Sequence, residues 1–137
     1  STPAHELVHV VTRLRGADGD DWIVEGLAEY YSIELTRRAG LLSDSRARKA
    51  LDWMRDHGAG VERLDTDRSR ERVTARAVTL FAALAAEIDT ATGGKRSLDD
   101  VVRRLMPDRE VSREALADAA RAVMGRKSRV LETPLLE

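Results

Sequence analysis

The chain has 137 residues, of which 42% are hydrophobic and 34% charged, and its formal net charge is only −1. That balance is enough for one core and leaves no basic footprint for nucleic acid or for an anionic membrane surface. With no cysteine, disulfides and cysteine-based zinc sites are excluded, and no apolar run approaches the roughly 20 residues that span a bilayer.

The predicted elements are helices separated by short breaks. Thr2 is a plausible N-cap and Pro3 suits a first helical turn, so a helix is expected from Ala4 to about Arg15. It carries Leu7, Val8, Val10, Val11 and Leu14, and its β-branched residues mean that burial must hold it. The run Gly16-Ala17-Asp18-Gly19-Asp20 breaks it. Asp20 or Asp21 caps a second helix, Trp22 to about Ala39, closed by Gly40 with Arg37 and Arg38 in the last turn. A third runs from Ser43 or Asp44 to about Asp56, ended at His57-Gly58-Ala59-Gly60, with Trp22 and Trp53 read as core and His57 as a solvated helix end.

Residues 61–69 are polar and turn-rich, a candidate loop over a site. The helix from about Arg70 to Thr90 is the most apolar, with Val73, Ala77, Val78, Leu80, Phe81, Leu84, Ala85 and Ile88, and is expected at the centre of a bundle. Ser97-Leu98-Asp99-Asp100 starts a short helix to about Met106, and Ser112-Arg113-Glu114 a last one to about Met124. Residues 126–137 are read as a weakly ordered tail or an extended surface segment. No period-2 strand pattern appears. The expected fold class is all-α, five to six helices in one domain over residues 1–137.

Two of the three histidines fall in His5-Glu6-Leu7-Val8-His9. In this H-E-x-x-H spacing, positions i and i+4 share a helix face, so both imidazoles can reach one metal ion. Glu6 is placed beside them as general base for a water. A catalytic zinc needs a third protein ligand. Glu25 and Glu29 stand one turn apart on the second helix, so either can reach the metal. Gly26 beside Glu25 points to close approach of another helix.

His5-Glu6-Leu7-Val8-His9 followed by Glu25-Gly26-Leu27-Ala28-Glu29-Tyr30 resembles the gluzincins, zinc metallopeptidases with an H-E-x-x-H helix and a downstream Glu ligand. Tyr30-Tyr31, Arg37-Arg38-Ala39-Gly40-Leu41-Leu42-Ser43 and Thr92-Gly93-Gly94-Lys95-Arg96-Ser97-Leu98-Asp99-Asp100-Val101 look like the glycyl aminopeptidase family of that clan. The resemblance implies the helical half of a metallopeptidase domain, with zinc held by His5, His9 and Glu25, and Glu6 as the catalytic base and acid. It also implies that Glu29 orients a histidine N–H. Tyr30 and Tyr31 are candidate oxyanion donors, and the substrate is a peptide or protein cleaved by a peptidase, an aminopeptidase by the nearer likeness. Relatives carry a Tyr-x-Lys-Gly-like stretch where this chain has Thr74-Ala75-Arg76-Ala77. Loss of one oxyanion donor typically slows such a reaction by about 10²–10³. The alternative is therefore a peptidase-like binding or interaction module that keeps the fold, with or without the metal, and has little or no turnover. Because the motif begins at the fifth residue, the chain is expected to be a piece of a longer protein. The preceding part would be its partner in building the second cleft wall.

Overall fold

A computed structural model describes residues 2–65 and 70–136. Six α-helices account for most of these residues: α1 Pro3–Thr12, α2 Asp21–Arg38, α3 Asp44–Gly58, α4 Arg70–Thr92, α5 Leu98–Leu105 and α6 Arg113–Met124. The fold is all-α. Among the described residues no helix is long and apolar enough to cross a membrane.

Helix starts follow side-chain capping. Thr2 accepts from the His5 N–H and puts Pro3 in the first turn of α1. Ser43 accepts from the Arg46 N–H and Ser112 from the Ala115 N–H. Ser97 and Asp100 form a reciprocal capping box at α5. Asp20 departs from this pattern. It sits at the N-cap position of α2 but makes no cap bond. Instead its buried carboxylate accepts from the Arg113 backbone N–H at 3.1 Å and Nε at 3.0 Å, tying the start of α2 to the start of α6.

Helix α1 is shorter than its sequence pattern predicts. It stops at Thr12, with Arg13 left-handed at φ 54° and its N–H on the His9 carbonyl. The chain beyond is drawn into a short parallel pair, β1 Arg15–Gly16 with β2 Glu110–Val111. The Arg15 N–H donates to the Arg109 carbonyl at 2.7 Å and the Ala17 N–H to the Val111 carbonyl at 2.8 Å. Gly16 is required there, because a Cβ would lie 2.7 Å from the Asp20 backbone.

The expectation that burial holds α1 is met on one side only. His5 and Val8 are buried against α2, whereas Leu7, Val10 and Val11 are exposed. Helix α4 is central as predicted, with Ala77, Val78, Phe81, Leu84 and Ile88 sealed from solvent. It packs on α2 at Gly26, where a Cβ would stand 2.6 Å from Ala77 Cβ and 2.9 Å from the Phe81 ring. Gly26→Val should therefore destabilise the domain by about 2–3 kcal/mol in urea unfolding, since neither neighbour is a flexible side-chain end.

The C-terminal segment, read as a weakly ordered tail or an extended surface segment, returns across the bundle. Glu87 on α4 accepts from Ser128 Oγ at 2.5 Å and from the Arg129 N–H at 2.8 Å, with Arg126 alongside at 3.2 Å. Leu135 is buried, and its carbonyl accepts from the Leu64 N–H at 3.1 Å. Trp22 is core, stacked on Phe81 with ring centroids 6.0 Å apart. Trp53, also predicted as core, is 46% exposed. Only Ala47 and Gly58 of α3 are buried, so that helix lies on the surface of α4 and leaves Trp53 facing outward. His57 is an exposed helix end as predicted, stacked on Trp53.

Candidate metal centre

Helix α1 presents His5 and His9 one turn apart, and α2 crosses behind them with Glu25 and Glu29, again one turn apart. Two i, i+4 pairs therefore face one another. His5 is 5% exposed. Its Nδ1–H donates to Glu29 Oε2 at 2.7 Å, a tautomer assigned from that carboxylate partner. The Nε2 lone pair is thereby left toward His9 and Glu25. His5 Nε2 lies 3.0 Å from His9 Nε2 and 3.3 Å from Glu25 Oε2, and His9 Nε2 lies 3.1 Å from Glu25 Oε1.

These separations fit a metal. Ligands at 2.0–2.1 Å around a tetrahedral ion stand about 3.3–3.4 Å from one another. Two imidazole nitrogens and one carboxylate oxygen are the donor types that suit zinc. Among the described residues, His5, His9 and Glu25 are the cluster that brings three such donors within 4.8 Å. Between Glu25 and Glu29, which residue spacing alone leaves open, the geometry divides the roles. Glu25 faces both ring nitrogens, and Glu29 holds the far nitrogen of His5.

A cavity of about 690 Å³ opens on this group. Glu6 lines it, exposed on α1 beside His5. Helix α4 contributes Glu71, Thr74 and Ala75, and α3 contributes Trp53 and Met54. A second cavity of about 570 Å³ lies on the other side of His9 and Glu25, floored by Leu14, Trp22, Leu64 and Val73. His9, Glu25 and Thr74 border both. From the segment predicted as a loop over the site, Leu64 and Asp65 line the second cavity; residues 66–69 lie outside the described residues.

Compared with known proteins, the chain matches no protein-family model, no curated protein and no solved structure. The site therefore stands on its own geometry.

The two tyrosines offered by sequence as oxyanion donors are not brought into the cavity. At about 100° per residue, Glu29 returns to the face of Glu25, whereas positions 30 and 31 are rotated about 140° and 240° away. Both are buried, packed edge to face with ring centroids 5.3 Å apart. The Tyr31 hydroxyl donates to Asp99 Oδ1 at 2.6 Å on α5. Burial pushes the Tyr30 hydroxyl up to about 12. Burial and the hydrogen bond to Asp99 push Tyr31 further up. Arg38, at 2.8 Å, holds the Asp99 carboxyl below its usual range. This cluster ties α2 to α5. Thr74 does reach the cavity.

Sequence reasoning missed Glu71, Trp53 and Met54 as cavity residues. Glu71 stands three residues before Thr74, hence on the same side of α4, a signal available from helical spacing.

The Glu29 contact gives a direct expectation. Metal-bound imidazoles depend on the partner of their second nitrogen, and loss of such a partner typically lowers affinity 10–100-fold. Glu29→Ala should reduce zinc affinity by about that factor in a competition titration. Glu29→Gln should do less, because its amide carbonyl still accepts from Nδ1–H.

Proposed function

We propose that this chain is the helical catalytic part of a zinc-dependent peptidase of the gluzincin type, hydrolysing peptide bonds. The observation that carries the reading is the mutual spacing of His5 Nε2, His9 Nε2 and the Glu25 carboxylate, 3.0–3.3 Å. Those three residues would hold the ion, and Glu29 would orient His5. Zinc bound there supplies Lewis acidity, which acidifies a water and polarises a carbonyl. Glu6 takes the proton of the attacking water and returns it to the departing amine, so one carboxylate serves as base and then as acid. The peptide lies in the cavity beside Glu6, between α1 and the wall made by α3 and α4.

A second reading is favoured by Thr74 and by the burial of Tyr30 and Tyr31. Without a tyrosine hydroxyl in the cavity, the oxyanion lacks a donor worth about 10²–10³ in rate. The module would then bind peptide and metal with little turnover. Zinc-loaded protein incubated with a mixture of free and N-blocked peptides, followed by mass spectrometry, separates the two. Cleavage products that disappear on chelation support the peptidase, and retained zinc without products supports the binding module. Protein that takes up no zinc contradicts both.

A further inference from the structure

The cavity at the metal group has a charge and a wall that the hydrolytic chemistry does not use. Four of its lining side chains are carboxylates, Glu6, Glu25, Glu29 and Glu71, and none is Lys or Arg. Three have tasks in the proposed site: Glu25 as ligand, Glu29 on His5, and Glu6 as base. Glu71 has none. It stands in the first turn of α4, exposed, and makes no ion pair among the described residues.

The wall is equally specific. Trp53 and Met54 line the same cavity from α3. The Trp53 indole is 46% exposed and backed by the His57 ring, with centroids 3.5 Å apart at an interplanar angle of 22°. An indole fixed from behind offers its other face as a flat, electron-rich surface, which favours a cation or the aliphatic stem of a basic side chain. Carboxylate and indole thus border one space from two helices.

We propose that this cavity selects peptides carrying a lysine or arginine side chain close to the cleaved bond. The stem lies along Trp53 and Met54, and the cationic head reaches Glu71. The proposal rests on the peptidase reading of the metal centre, since the same cavity receives the peptide. An α-ammonium group would meet the same carboxylate but has no stem to cover Trp53 and Met54, which is why the side chain is the better match.

The test reads binding rather than turnover. Zinc-loaded Glu6→Gln protein is titrated, by tryptophan fluorescence, with N-acetylated, C-amidated alanine pentapeptides carrying a central lysine or a central norleucine. The norleucine peptide with a free amino terminus is a third probe. The lysine peptide should bind on the order of five- to tenfold tighter than its blocked norleucine partner at low salt, and less so in high salt. In Glu71→Gln the ratio should fall to about one, and in Glu71→Lys a central glutamate should become the preferred residue. Equal affinity for the lysine and norleucine peptides would overturn the proposal. So would a ratio that survives Glu71→Gln, a preference that follows the free amino terminus instead, or no binding of any probe. A lysine preference together with no hydrolysis by the wild-type protein would sink the peptidase reading and leave this site standing. Hydrolysis without the preference would do the reverse.

Discussion

Glu6→Gln is expected to lower zinc-dependent peptide hydrolysis by on the order of 10²–10⁴-fold while leaving zinc at one equivalent. Glutamine keeps the shape of the side chain and cannot accept a proton, so the change removes proton transfer. Glu6 is exposed on α1, and exposed substitutions usually move stability by less than about 0.5 kcal/mol. A loss of rate with unchanged melting temperature and unchanged zinc content would therefore mark Glu6 as a catalytic group. The informative contrast is Tyr31→Phe. Its hydroxyl is engaged with Asp99, so hydrolysis should be unaffected while stability falls by about 1 kcal/mol. A large rate loss there would mean that the tyrosine reaches the substrate after all. Activity that survives Glu6→Gln would remove the proposed base.

His5→Ala should lower zinc affinity by on the order of 10³-fold, taking one of the few protein ligands from a site whose total binding energy is shared among them. It should also destabilise the metal-free domain. His5 is 5% exposed and is the partner of Glu29, so alanine leaves both a hole and a carboxylate without its donor, together worth about 2–4 kcal/mol. Glu25→Gln provides the comparison. Its side chain is about half exposed, and the amide preserves volume, so zinc affinity should fall while metal-free stability changes little. Competition titration with a chromogenic chelator reads the first quantity and urea unfolding of metal-free protein the second. Unchanged zinc affinity in His5→Ala would mean that the metal sits elsewhere.

Much of this architecture is legible in the sequence because short-range rules dominate it. Ser43, Ser97 with Asp100, and Ser112 cap the helices they precede. The apolar circumference of α4 does predict its central place, and His5, His9 and Glu25 meet because two helices each repeat every 3.6 residues. What is not legible depends on distant backbone. The pairing of Arg15–Gly16 with Glu110–Val111 is too short for any periodic signal and shortens α1 from outside. Asp20 looks like a cap until Arg113, 93 residues later, claims its carboxylate. Tyr30 and Tyr31 look like site residues by nearness in sequence, and helical rotation turns Tyr31 to Asp99 on α5 and Tyr30 toward α3. Trp53 looks like core by size, yet α3 lies on the surface of the bundle and leaves the indole at the cavity.

The assignment of His5, His9 and Glu25 as the ligands of one ion is tested most directly by zinc K-edge X-ray absorption on protein loaded with one equivalent of zinc. The geometry predicts two imidazole nitrogens and a carboxylate oxygen at about 2.0–2.1 Å, with the imidazole signature reduced in His9→Ala. Zinc that shows no imidazole scattering, or protein that retains none after desalting, would contradict it.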